Sequence, residues 1–299
     1  MVFTKFRGPD VAGIVEHDNS CLAPGSETLN SMGNWDTIPP YSLGENEYPL
    51  GRLLVGCASY VDQRFLEMLE RQGQQSLVTI DTSWLSVGHV DEIFSFVKST
   101  NPRGWSVLAS APMEAWHLLQ RWQAQEYGSR SMFYGMYYPP DVPGGVPVPA
   151  VITIDEVLGY SQLEDDNVDA QVHVDVAKAA LAAATGVAVS EFVDVKFLFG
   201  DKGIGLLVAF QPGMVNGVYL ADGVFAAPNP HGPAIGEFGQ QGYLEDGMKE
   251  ELRAVLSGLG VAVEWVEDWD IYHVKDGEVH CGSNVLRAVP DTKWWEVEE

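Results

Sequence analysis

Short apolar runs alternate with helical stripes along most of this chain, and that alternation limits what it can fold into. Residues 53–55, 77–80 and 105–109 are apolar runs of strand length. Between the first two, Val61, Phe65, Leu66 and Leu69 recur at helical spacing, and Gly73 is placed to close that helix. Ala115, Leu118, Leu119 and Trp122 mark one face of a second helix. Further on, residues 151–154 read as a strand, 177–184 as an alanine-rich helix ended by Gly186, and 192–199 and 205–210 as neighbouring strands. Met248, Leu252, Val255, Leu256 and Leu259 stripe a last helix capped by Gly260, with strands expected over 261–266 and 271–274. Strands and helices in alternation predict an α/β fold. Residues 7–49 are turn-rich with little periodicity, and 137–150, with five prolines and two adjacent glycines, read as a long surface loop. No polar low-complexity linker interrupts residues 1–299, which read as one domain, and no repeat is visible at residue level.

Charge narrows the partners. Lys+Arg number 17 against 42 Asp+Glu, a net charge of −25. Such a surface disfavours nucleic acid and anionic membranes and favours cationic partners, whether arginine- or lysine-rich proteins or calcium. An acidic surface that serves only solubility is the plainer alternative. Three widely spaced cysteines, Cys21, Cys57 and Cys281, make no disulfide framework and suggest a reducing compartment. The first ten residues carry no apolar signal-peptide core. The longest uncharged stretch, 203–221, is interrupted by Gln211, Pro212 and Asn216 and reads as two buried strands with a turn. A soluble, cytoplasmic protein is expected.

Two runs carry chemistry. Asp81-Thr82-Ser83-Trp84-Leu85-Ser86-Val87-Gly88-His89-Val90-Asp91-Glu92 offers a histidine and a carboxylate two residues apart. In an extended segment they would face one pocket, where Asp91 could hold a guanidinium and His89 could protonate a leaving amine. Gly277-Glu278-Val279-His280-Cys281-Gly282-Ser283-Asn284 offers a cysteine in a polar turn, unlike Cys57 in its apolar run. A reactive thiol needs a nearby positive charge or helix N-terminus, and a cationic substrate can supply that charge. Together the runs suggest thiol chemistry on a cationic nitrogen substrate. Rival readings use the same residues. A zinc site from His89, Asp91, Cys281 and a second histidine would lack any Cys-x-x-Cys or His-Glu-x-x-His run. A papain-like protease would place its cysteine early and its histidine downstream, the reverse of the order here. Gly200-Asp201-Lys202-Gly203-Ile204-Gly205 lacks the Gly-Lys-Ser/Thr ending of a phosphate loop and reads as a hairpin turn.

At these runs the chain resembles the catalytic domain of the calcium-dependent protein-arginine deiminases. Gly8-Pro9-Asp10, Glu47-Tyr48-Pro49-Leu50-Gly51-Arg52, Met214-Val215-Asn216, Tyr272-His273 and Lys293-Trp294-Trp295 extend the match in the same order. The match is weakest over 127–190. The resemblance implies a pentein-type α/β propeller of repeated strand–helix modules around a central site. It implies that Cys281 attacks the guanidinium carbon of a peptidyl arginine, that Asp91 holds the guanidinium, and that His89 protonates departing ammonia and then activates water. Val87 and Lys275 fall at substrate-binding positions, Lys275 at a basic position that is arginine in some members. Met32, Trp35 and Asp36 match part of a calcium site, and Asp10 matches a further acidic position. A second guanidinium-binding aspartate and most calcium ligands lie, in the family, upstream of the Gly-Pro-Asp match. On this reading the domain is incomplete at its N-terminus and the propeller lacks its first strands. Arginine-containing proteins are the implied substrates. An inactive pentein remnant that binds arginine-rich proteins, or an enzyme for free small guanidines, are the alternatives.

Overall fold

A computed structural model describes residues 29–56, 61–140, 145–220, 223–236 and 245–283. Asp10, Cys21, Cys57 and the Lys293-Trp294-Trp295 run lie outside the described residues.

The structure is mixed α/β, and its plan is a three-strand unit used three times. In the first, β1 (Trp35–Ile38) runs antiparallel to β4 (Arg52–Gly56), with the hairpin of β2 (Tyr41–Leu43) and β3 (Asn46–Tyr48) inserted between them. Helix α1 (Gln63–Glu70) then returns the chain to β5 (Leu77–Ile80), parallel to β4. In the second, β6 (Phe94–Lys98) pairs antiparallel with β7 (Trp105–Ser110). The return runs through α2 (Pro112–Trp122), two short ribbons, α3 (Ile154–Leu158) and α4 (Ser161–Thr185) to β12 (Phe192–Val195), parallel to β7. The ribbons are β8 (Ser131–Met132) with β11 (Ile152–Thr153), and β9 (Tyr137–Tyr138) with β10 (Val148–Pro149). The hairpin β13 (Phe199–Asp201) and β14 (Leu207–Ala209) precedes the third unit. There β15 (Val218–Leu220) is antiparallel to β16 (Val224–Pro228). A small ribbon, β17 (Ala234–Ile235) with β18 (Glu245–Asp246), and helix α5 (Gly247–Gly258) lead to β19 (Ala262–Val266), parallel to β16. The repeat invisible in the residues is therefore visible in the strand order: antiparallel pair, helix, parallel strand.

Parallel strands need a long crossover, and a helix laid on the sheet face buries its apolar stripe while making one. That burial supplies the main cluster, with Trp116, Trp269, Phe94, Phe133, Phe197, Phe199 and Phe225 among its fully buried side chains. A smaller cluster of Leu29, Trp35, Val55, Val61 and Leu66 holds α1 to the first unit, where Trp35 meets Phe65 edge-on at 4.9 Å between ring centres. Asp62 caps α1 through Arg64 N, and Asp246 caps α5 through Met248 N and Lys249 N.

Several expectations are corrected. Residues 35–48 are strands rather than irregular turns, because Trp35, Ile38 and Tyr41 anchor them to the core. The run 192–199 divides between β12, which pairs with β7, and the start of β13. The expected loop 137–150 contains the β9–β10 ribbon at its two ends. Residues 271–274 are not a strand, because the main-chain carbonyl of Asp268 accepts the N–H groups of Ile271, Tyr272 and His273 at 3.2, 2.8 and 3.2 Å and winds them into a turn. The 200–205 loop is the expected hairpin turn. Its amide nest is filled from within, since Asp201 Oδ1 accepts from Gly203, Ile204 and Gly205 N.

Candidate active site

The chain segments that enter and leave the three-strand units converge on one point. After β5, the loop 81–93 is stitched to β14 by Ser86 N to Leu207 O (2.8 Å) and Leu207 N to Trp84 O (2.9 Å). Inside it, buried Thr82 donates to Gly88 O at 2.5 Å. Gly88 has φ +82°, a conformation that glycine adopts without strain. The reversal delivers His89, which caps a 3₁₀ turn over Val90–Glu92. Glu92 Oε1 accepts from His89 N at 2.8 Å. The segment is thus a tight turn rather than extended, and His89 and Asp91 come to one place, 6% and 2% exposed.

Cys281 arrives from the other end of the chain, in a turn after β19. Gly282 N bonds to Glu278 O at 3.1 Å and Ser283 N to His280 O at 3.0 Å. Gly282 packs on the Tyr272 ring so closely that a Cβ would fall 2.2 Å from it. Cys281 Sγ lies 3.5 Å from Asp91 Oδ2, and the ligating atoms of His89, Asp91 and Cys281 all fall within 4.8 Å of one another. His280 Nδ1 meets the same Asp91 Oδ2 at 2.8 Å. Asp91 Oδ1 is buried and accepts no hydrogen bond from the described residues. Cys281 is exposed as a residue, but its sulfur is crowded. Loss of water around the sulfur, then the charge of Asp91, hold the thiol pKa far above its usual range. The contacts of Asp91 with His280 and Cys281, at 2.8 and 3.5 Å, join the two motif turns through one carboxylate, and the ligand atoms of His89, Asp91 and Cys281 are also close enough together to hold a metal ion.

Two groups to which the sequence assigns no role, Gly33 and Asn216, line this point. Gly33 stands in the 3₁₀ turn Met32–Asn34, which Asn34 ties to β4 through Gly56 O at 2.8 Å and Gly56 N at 3.1 Å. A Cβ on Gly33 would lie 2.6 Å from His89 Nδ1. Ser31 Oγ lies 3.4 Å from His89 Nε2. Gly33→Ala is therefore expected to push the imidazole aside and to lower any turnover about 10²-fold with little loss of stability, measured by steady-state kinetics beside a thermal melt.

Beneath the Cys281 turn sits a buried acid pair. Asp268 is 1% and Glu278 5% exposed. Glu278 Oε1 accepts from Gly213 N at 3.2 Å and meets His273 Nδ1 at 2.8 Å. Burial, with the neighbouring Glu278 charge adding to it, pushes Asp268 up to about 9. Burial also pushes Glu278 up to about 8 and His273 down to about 4. Between the unfolded carboxyl range and pH 8 the folded state thus binds more protons than the unfolded chain at both acids, so stability falls as pH rises. His273 acts oppositely between about 4 and 6.5, so the steepest loss lies from 6.5 to 8. The melting temperature should drop by a few degrees across that interval, and Glu278→Gln should flatten the slope; a flat wild-type profile would refute the assignment.

Of the other sequence candidates, Val87 is half-buried just before Gly88, and Lys275 is exposed at the end of the 3₁₀ turn His273–Lys275. Trp35 and Asp36 sit on β1, where Asp36 Oδ1 accepts from Thr37 N at 2.6 Å. With the carbonyls of Met32 and Trp35, Asp36 would supply only a small part of the six to eight oxygens that calcium takes.

A family model described as protein-arginine deiminase matches residues 1–296. The chain is 32% identical over 301 residues to a human protein-arginine deiminase type-1, covering 99% of this chain and 42% of that protein. It is 33% identical over 283 residues to a mouse type-4 protein, covering 90% and 39%. A human type-4 protein is 30% identical over 298 residues, covering 97% and 40%. The chain thus spans about two-fifths of the length of these relatives.

Proposed function

Because this chain belongs to the protein-arginine deiminase family, we propose that it carries the family's chemistry at Cys281, His89 and Asp91, converting peptidyl arginine to peptidyl citrulline. The observation that carries this reading is the meeting of a thiol, a carboxylate and an imidazole within 4.8 Å, drawn from positions 190 residues apart in sequence.

The buried Asp91 carboxylate, with its unengaged Oδ1, suits a planar guanidinium. In taking that place the substrate displaces the His280 ring from Oδ2. The bound cation neutralises Asp91 and favours the ionised sulfur, which the empty site disfavours. The thiolate attacks the guanidinium carbon and forms a C–S bond. His89 gives a proton to one nitrogen, which leaves as ammonia and leaves a thiouronium on Cys281. His89 then takes a proton from water as its oxygen adds to the same carbon; the C–S bond breaks, the thiolate is restored, and the remaining hydroxyl proton passes to solvent to leave a neutral ureido group. Net, the guanidinium cation and one water give the ureido group, one ammonia and one proton, together an ammonium ion. Val87 would flank the substrate stem and Lys275 its approach. A net charge of −25 would draw arginine-containing proteins to the surface. We further propose that the three repeated units belong to a pentein propeller, that calcium supports the active arrangement with Met32, Trp35 and Asp36 giving part of one site, and that Asp10 is a further acidic position for calcium.

The test is release of citrulline and ammonia from an arginine peptide by this chain, with and without millimolar calcium. Calcium-stimulated turnover is the expected result. A folded sample that binds the peptide without turnover in either condition would favour the remnant that only binds arginine-rich proteins.

A further inference from the structure

We propose that Asn216 is a catalytic residue of this site: its carboxamide donates to the Cys281 sulfur and stabilises the thiolate, while its oxygen clamps the main chain that presents the nucleophile. The proposal deepens the reading of Cys281 as nucleophile and rests on it.

Asn216 is 2% exposed, in the turn that leads into β15. Its own N–H bonds to Gly213 O at 2.9 Å, and its neighbours Met214 and Val215 are buried and fix the turn. Nδ2 donates to Cys281 Sγ at 3.3 Å. Oδ1 accepts from His280 N at 3.0 Å and from Cys281 N at 3.4 Å. The main-chain carbonyl of Asn216 also accepts from His280 N, at 3.1 Å. The orientation of the amide is thereby fixed: main-chain N–H groups donate only, so the oxygen must face them and the NH₂ must face the sulfur.

This geometry distinguishes the two states of the thiol. A protonated sulfur can point its hydrogen at Asp91 Oδ2, 3.5 Å away, or at Asn216 Oδ1, 3.7 Å away. An ionised sulfur can do neither, and Asp91 then repels it. The Nδ2–H group is a neutral donor aimed at the sulfur whose hydrogen bond strengthens as the sulfur gains charge. Asn216 therefore opposes the effect of Asp91, which must remain anionic to hold a cationic substrate. A site that grips guanidinium with a carboxylate and attacks it with a thiolate needs such a group, because otherwise the grip suppresses the nucleophile.

The experiment is the pH–rate profile for alkylation of Cys281 by iodoacetamide, read on the Cys281 peptide by mass spectrometry so that Cys21 and Cys57 do not interfere. It is run on the wild type, on Asn216→Asp, which keeps an oxygen for the clamp and loses the donor, and on Asn216→Ala, which adds no charge. Both variants should shift the inflection upward by about one pH unit and slow alkylation at pH 7 about ten-fold. A melting curve identifies any variant that fails to fold, and the remaining one decides. An inflection unchanged in a folded variant, even with turnover lost, would reduce Asn216 to a structural support and overturn the proposal. A shifted inflection in a chain that never makes citrulline would retract the proposed function and leave this role of Asn216 standing.

Discussion

Cys281→Ser is expected to abolish citrulline formation, lowering the rate by about 10⁴-fold or more, while the fold is kept. The size of the effect follows from the position of the sulfur. It is the one thiol among the described residues, and it lies 3.5 Å from the carboxylate proposed to hold the guanidinium. A serine hydroxyl at the same position is a far weaker nucleophile at neutral pH. Removal of a nucleophile from a group that acts as a unit costs about as much as removal of the whole unit. Stability should be nearly unchanged, because Cys281 stands in an exposed turn whose main-chain bonds, Gly282 N to Glu278 O and Ser283 N to His280 O, do not involve the side chain. The measurement is citrulline release beside a thermal melt. Turnover within ten-fold of wild type would exclude Cys281 as the nucleophile; loss of the melting transition would show that the turn is structural.

The site was legible in the sequence in its ends and not in its middle. Cys281 and the His89–Asp91 pair stand out because polar, chemically active residues interrupt apolar periodicity there; the Cys281 run is the polar turn expected, and the His89 run is a tight turn. Asn216, Gly33 and the Asp268–Glu278 pair had no such signature. An asparagine in a turn, a glycine beside an imidazole and two acids in an acidic chain become meaningful only when the fold brings them within 3 to 4 Å of something. The fold shows the same pattern. α1, α2 and α5 bury one clean stripe each and were visible. α4 runs for 25 residues, of which the local pattern marks only the alanine-rich end as helix. Val168, Val172 and Val176 lie on its exposed side, at 47%, 57% and 60%, while Asp166 and Asn167 are buried. Polarity therefore does not report the inward face. Asn167 is inward because its carboxamide bonds to Phe199 N and O, a long-range pairing absent from any local pattern.

Asp91→Asn is expected to separate two properties that the wild type combines. Turnover should fall by about 10³-fold or more, because the neutral amide loses the charge that pairs with guanidinium and presents a donor where the substrate also donates. Cys281 should at the same time become more reactive towards a neutral reagent. The charge of Asp91 is, after the loss of water around the sulfur, the main influence holding the thiol protonated, so its removal favours the thiolate. Alkylation by iodoacetamide at pH 7 should therefore be faster in the variant, while alkylation by a cationic chloroacetamidine, which needs the carboxylate, should be slower. A purely structural role for Asp91 predicts a different pattern, since a collapsed site changes both reagents in the same direction. That collapse is conceivable in this fold, because Asp91 Oδ2 also bonds to His280 Nδ1 and ties the two motif turns together, but an asparagine oxygen can still accept from that ring and keep the tie. Opposite changes with the two reagents would mark Asp91 as the anchor for the cation. Parallel changes would reduce it to a brace between the turns and leave the guanidinium without an identified holder in this chain.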